Sequence, residues 1–404
     1  MNKNLMILLS GQLVSQIGDK FYMLALAFWV LKSTGSSAQM GIVLFCSIFP
    51  ATLLGFFSGA FIDKFNKKTI IVSTDIIRGI VISGVAFLYA FGVLNLSIII
   101  IAQVLLSINA AFFDPAIPAI IPDLVDETEL TKANSQTQFI SGFATIIGPV
   151  LGGLAVSSLG YLFVFSFNAA SYLISGLFEC FIEFTNQKNK KKEDSSTIWS
   201  DIKEGWIYVA GYRKLLILLL IVGLIHFFVG SIEVVIPMLA VQLPGNGAQN
   251  LGYLQTSFGV GMVCMALLIS FVNINNKEEP LLFAAVTMIG LSLCLNSFLI
   301  YGKTRTVFEF VPLFVMLSSF IILAATCFRT LIQKLTDKQI LGRVFGLVGS
   351  IGNLSIPVGM LLYGFVLEFT RLDVTLLYTG FSVCIISIFS YLVFIRNPKE
   401  VLKK

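Results

Sequence analysis

Charge is what this chain has least of. Only 12% of its 404 residues are Asp, Glu, Lys or Arg, about half the share typical of a soluble domain. A hydrophobic content of 56% and a mean hydropathy of +0.90 leave too little polar surface for a water-soluble fold. Histidine occurs once, at His226, which excludes an H-E-x-x-H metal site, and no Ser-His-Asp set is suggested. Six cysteines (Cys46, Cys180, Cys264, Cys294, Cys327 and Cys384) stand in apolar runs without a C-x-x-C spacing. They read as small packing residues rather than metal ligands or a redox pair. Gly302, Lys303 and Thr304 share the ending of a phosphate-binding loop, but the glycine needed five residues earlier is Ser297. ATP hydrolysis by that route is excluded.

What is present is a series of long apolar runs. They cover roughly 5–31, 36–62, 68–92, 95–121, 131–158, 160–184, 214–242, 249–272, 279–301, 307–334, 339–368 and 373–396. About 20 apolar residues cross about 30 Å of hydrocarbon as a helix, so the chain reads as an all-α integral membrane protein with twelve transmembrane helices. No small-residue cleavage site follows the first run, which is expected to be retained. Twelve is even, so both termini share a side. Of 27 Lys and Arg, Lys32, Lys303, Arg305 and Arg371 fall at one set of helix ends and Lys20 lies within a helix; the other 22 gather at the opposite ends. The positive-inside rule makes those ends cytoplasmic. The expected location is a bacterial cytoplasmic membrane with both termini inside. The net charge of +5 then describes contact with the inner leaflet, not nucleic-acid binding.

The one long polar stretch, Thr185 to about Arg213, divides the chain. Residues 1–184 form one expected six-helix bundle, 185–213 a cytoplasmic linker and 214–404 a second bundle. Ile198, Trp199, Ile202, Trp206, Ile207 and Val209 recur at near-helical spacing in the linker, a pattern for a helix lying in the membrane interface. The halves echo each other: PDLVDETELTKANSQ leads into a helix with GPVLGG, and about 210 residues on LTDKQILGRVFGL leads into one with NLSIPVG. Such repeats with a site at their interface are a secondary-transporter pattern.

Ionisable residues inside membrane helices are expensive and usually face a cavity or a partner. Gln12, Ser15, Gln16 and Asp19 share one face of the first helix at i, i+3, i+4, i+7. Asp19 is a candidate for substrate or proton binding; the alternative is a structural pair with Lys20 or another helix. Gln103, Ser107 and Asp114 share a face of the fourth helix, where Pro115 and Pro118 should weaken the turn. Asp114 is a second candidate, against a cap on that turn or a pair with Arg78 or Arg329. His226 and Glu233 lie seven apart on the seventh helix. A neutral imidazole can relay a proton, and a buried carboxyl can exchange a proton for a cationic substrate, so both are candidates; an ordinary hydrogen-bonding His is the alternative. Glu179 and Glu183 read as a solvated helix end. A few of the 37 phenylalanines, such as Phe21, Phe45, Phe49 or Phe112, could line a cavity.

Gly59, Asp63, Lys64, Lys67 and Lys68, between the second and third helices with Arg78 beyond, closely resemble the signature loop of the major facilitator superfamily. Asn66 stands where that family usually has Gly, a place Asn tolerates by adopting positive φ. The resemblance implies a major facilitator fold of two pseudo-symmetric six-helix bundles, with this loop as a conformational latch. Gly148, Pro149, Gly152 and Gly153, with Gly142, resemble a motif of the proton-coupled export branch, implying a hinge; a merely tight helix crossing is the alternative. Phe112 to Asn134, with Gly342 to Gly346, resemble a group containing macrolide-efflux proteins, enterobactin exporters and lysophospholipid transporters. The resemblance implies a monomeric exporter of a bulky amphiphile, driven by protons and needing no cofactor beyond the proton gradient. A lysophospholipid or siderophore transporter of the same fold is the rival, and a non-transporting membrane sensor or scaffold is the rival of another class. A scaffold has no need of acids in the membrane.

Overall fold

The computed structural model describes residues 3–182, 198–272, 274, 276–302, 306–337 and 340–396. Glu183 and the lysine run from Lys188 to Lys192 lie outside the described residues, as do the surroundings of Gly59 and the side chains of Asp63, Lys64, Ile198, Trp199 and Ile202. The helices are α1 (Lys3–Thr34), α2 (Ser37–Lys64), α3 (Lys67–Ala90), α4 (Leu96–Leu124), α5 (Leu130–Cys180), α6 (Ile198–Gly211), α7 (Arg213–Gln242), α8 (Gly247–Phe271), α9 (Glu278–Tyr301), α10 (Val311–Leu335), α11 (Leu341–Phe369) and α12 (Leu372–Ile395), and all but α6, which lies in the linker, follow from the apolar runs.

Among the described residues, ten helices are long and apolar enough to cross a membrane. Helix α5, one of the ten, runs for 51 residues and breaks at Gly160, where φ is 81°. Glycine takes that backbone without a Cβ clash, and the break yields two crossings. Helix α1 is not among the ten because its polar stripe lowers its hydropathy, yet its 32 residues span about 48 Å at 1.5 Å each. Helix α6 has 14 residues, about 21 Å and too short to cross. Counted this way the chain has twelve crossings, consistent with its twelve apolar runs.

The helices form two compact units, Met1–Glu193 with Gly245–Thr256, and Asp194–Pro244 with Ser257–Lys404. Equivalent pairings recur inside each. In the first unit α1 packs on α5, α3 on α5 and α2 on α4; in the second α7 packs on α11, α9 on α12 and α8 on α10. Lipid is as apolar as leucine, so close backbone packing rather than water exclusion holds such pairs. A Cβ at Gly148 would lie 2.5 Å from Lys20 Cβ, one at Gly153 2.5 Å from the Ala248 carbonyl oxygen, and one at Gly252 2.6 Å from that of Pro149. In the second unit a Cβ at Gly380 would lie 2.5 Å from the Gly290 carbonyl oxygen. The glycines around Pro149 thus permit tight crossings of α1 and of the start of α8, and the irregular turn of α5 falls at Gly160 instead.

One end of the first unit corrects two expectations. Asn66 has φ −67° and caps α3, its side chain accepting from the backbone N–H of Lys68 and Thr69. Positive φ is not what places Asn there; N-capping is. Lys67 Nζ donates to the Ala119 carbonyl (2.8 Å) and to Asp123 Oδ2 (2.7 Å), and Lys68 Nζ to the carbonyls of Cys180 (2.7 Å) and Ile182 (2.8 Å). These ammonium groups sit on the C-terminal turns of α4 and α5, where the helix dipole favours a cation, rather than serving lipid head groups alone. In the second unit α6 lies against α11: Arg343 pairs with Glu204 at 2.7 Å, and the backbone N–H of Asp337 donates to Tyr208 Oη at 3.1 Å. Trp206 and Ile207 stay on its exposed face.

Candidate functional site

Within the first unit the polar stripes of α1 and α4 open into one cavity of about 450 Å³. Gln12, Ser15, Gln16, Asp19 and Lys20 of α1 line it, with Gln103, Ser107 and Asp114 of α4, Arg78 of α3 and Tyr172 of α5. Met23, Leu26, Leu106 and Phe113 supply apolar wall. The stripes face inward because a polar helix face in a membrane must meet protein or water. Hydrogen bonds hold the wall together: Gln103 Nε2 donates to Tyr22 Oη at 2.6 Å, and the Ala51 backbone N–H donates to Ser107 Oγ at 3.0 Å, joining α2 to α4.

The guanidinium of Arg78 is the centre of charge. It is 7% exposed, lies 3.9 Å from a carboxylate oxygen of Asp75 and 3.9 Å from one of Asp114, and its Cζ stands 4.3 Å from the Phe113 ring centroid. A desolvated cation over an aromatic face is worth about 2 kcal/mol. Asp114 is 73% exposed, into the cavity, so it is the more open of the two acids. Asp19 accepts a hydrogen bond from the Tyr172 hydroxyl.

Asp19, Asp114, Gln12 and Gln16 are therefore brought together. Asp114 meets Arg78 rather than Arg329 and caps no broken turn, because α4 continues as one helix through Pro115, Pro118 and Pro122. Lys20 packs against Gly148 and borders the same cavity. Arg78, grouped by sequence with the loop motif, belongs to the cavity wall. His226 and Glu233 lie in the second unit. The Nδ1 of His226 is 2.8 Å from the Val222 carbonyl of its own helix, its ring packs on Gly352, and Glu233 is half-buried. Phe113, not Phe112, borders the cavity; Phe21 stacks on Phe167 and Phe45 on Phe49.

A sequence profile described as the Major Facilitator Superfamily matches residues 8–360. The chain belongs to the major facilitator superfamily. Macrolide efflux protein A of Streptococcus pyogenes is similar to it, 25% identical over 357 residues that cover 87% of this chain and 86% of that protein. The multidrug efflux pump Tap of Mycolicibacterium fortuitum is 23% identical over 393 residues, 92% of this chain and 91% of Tap. The crystal structure of the nucleoside transporter NupG superposes with a TM-score of 0.80 at 11% identity over 98% of this chain and 99% of that one, a likeness of fold. This superfamily member is a multi-pass membrane transporter, not an enzyme.

Sequence reasoning missed three residues of this transporter's first unit. Glu179 is wholly buried, not a solvated helix end. Asp75 is also wholly buried and Tyr172 nearly so. A signal was available: Tyr172, Ser175 and Glu179 stand at i, i+3, i+7, the spacing that marked α1.

Proposed function

We propose that this transporter exports a bulky, cationic amphiphile, macrolide-like or another lipophilic drug, in exchange for protons. The observation that carries the reading is that Asp19 and Asp114 share one cavity with apolar and aromatic walls. A cavity of about 450 Å³ lies within the range of small-molecule sites. An ionised carboxylate there attracts a cationic head while Met23, Leu26 and Phe113 hold the greasy body. A proton on the same carboxylate cancels the attraction. Proton and substrate thus compete for one group, and competition at a single site is what makes an exchanger. The names of the two efflux relatives support the substrate class and the outward direction.

Transport proceeds by alternating access, with both termini in the cytoplasm and the chain acting as a monomer in a bacterial cytoplasmic membrane. Lys67 and Lys68, with Asp63 and Lys64, serve as the latch, and Gly148 to Gly153 as the close crossing that moves. Gln12 and Gln16 orient polar groups of the substrate. His226 and Glu233 are the candidate titratable groups of the second bundle. The test is substrate-dependent proton movement in liposomes holding a pH dye, with macrolides, cationic dyes, a catechol siderophore and lysophospholipids as substrates. A proton signal with macrolide or dye, lost in Asp19→Asn, is expected. Lysophospholipid crossing without a proton signal would replace this reading by a lipid transporter.

A further inference from the structure

Four carboxyls in the first unit crowd around two cations. Asp19, Asp75, Asp114 and Glu179 stand against Arg78 and Lys20. The proposed exchange uses Asp19 and Asp114. Asp75 and Glu179 are left over, and both are 0% exposed. Neither oxygen of either carboxyl has a hydrogen-bond partner among the described residues. Arg78 approaches Asp75 only to 3.9 Å, too far for a hydrogen bond. Ser175 stands beside both carboxyls, and its Oγ is also without a partner of ordinary geometry. The charged and titratable neighbours of Asp75 are Arg78 on its own helix, Glu179 on α5 and Asp19 on α1; those of Glu179 are Asp75 and Arg78 on α3.

Two ionised carboxylates buried together without donors repel each other and forgo their hydration. One shared proton ends the repulsion and supplies a hydrogen bond in place of water, since a protonated carboxyl is a donor and its neighbour an acceptor. The placement has a direction. Tyr172, Ser175 and Glu179 lie on one face of α5, and seven residues advance about 10 Å. Tyr172 is on the cavity wall, whereas Glu179 precedes Cys180, whose carbonyl is held by Lys68.

We propose that Asp75 and Glu179 form a second protonation site, bridged by Ser175, through which protons pass between the cavity and the Lys67–Lys68 end of this unit. This deepens the exchange reading and rests on it. Each hop breaks one O–H bond and forms another, and no electrons change hands.

Infrared difference spectra of the full-length protein in lipid test the pair directly. A protonated-carboxyl C=O band at neutral pH is expected in the native chain, lost in Glu179→Gln and lost or shifted in Asp75→Asn, both checked for monodisperse elution. A spectrum unchanged in both variants overturns the pair. In liposomes with ethidium, Glu179→Gln should keep dye–dye exchange within about twofold while proton-driven accumulation falls about tenfold or more. Glu179→Asp should recover part of it. Equal loss of exchange and accumulation, unrescued by Asp, makes Glu179 merely structural and overturns the path. A native chain that moves dye without protons sinks the exchange reading alone, and the infrared band then decides whether the pair holds a proton.

Discussion

Asp19 shows how much of a site a single residue can announce. A carboxyl at i+7 from Gln12 on an otherwise apolar helix has few places to go in a membrane except a cavity. Its partner was not legible, because Tyr172 is 153 positions away and a tyrosine in an apolar run looks like any other aromatic. A hydrogen bond to a charged group contributes about 1.5–3 kcal/mol. Tyr172→Phe is therefore expected to lower proton-coupled transport about tenfold or more while the protein remains folded, read as initial rates in liposomes beside thermal melting. Lys67 and Lys68 separate at the same scale. The Lys67–Asp123 pair is about a third exposed on both sides, and such pairs contribute about 1 kcal/mol or less. Lys67→Ala should cost little in stability, and a double-mutant cycle with Asp123→Ala measures the coupling.

Elements are where the sequence spoke most clearly and where it misassigned most. Apolar runs located every crossing, because about 20 residues are needed whatever the fold. The prolines of α4 misled, since a proline removes one backbone donor without ending a helix that neighbouring groups support. Here Lys67 also donates to the Ala119 carbonyl, three residues before Pro122. The break in α5 falls at Gly160, at the boundary between the runs 131–158 and 160–184, where the positive φ suits glycine. Gly160→Ala should destabilise by about 1 kcal/mol or more, read as a lowered melting temperature in detergent. Gly153→Val places a Cβ 2.5 Å from the Ala248 carbonyl oxygen, backbone that cannot rotate away. A loss of about 1–3 kcal/mol is expected, with transport slowed further than stability alone accounts for if the crossing moves.

At the scale of the molecule, charge asymmetry rather than any contact predicts the orientation. Chain-end fusions check it: a green fluorescent protein at the C-terminus should fluoresce and an alkaline phosphatase should stay inactive. The reverse pattern would place the basic ends outside and undo the topology. The recurrence of the same helix pairings in both units explains why the repeat was faint in sequence. Pairings are preserved by small residues such as Gly148 and Gly359, and small residues are common in membrane helices for many reasons.

By itself the sequence determined the membrane class, the count of apolar runs, which helix ends bear the positive charge and the stripes of α1 and α4. Each of these is a property of one helix against lipid, so periodicity and hydropathy suffice to read it. Only the tertiary structure decided which acids keep company. Arg78 joins Asp75 to Asp114, Tyr172 meets Asp19, and Asp75 lies beside Glu179, all across helices far apart in sequence. Such groupings depend on how α1, α3, α4 and α5 pack, and a charge carries no mark of the partner that packing will bring to it.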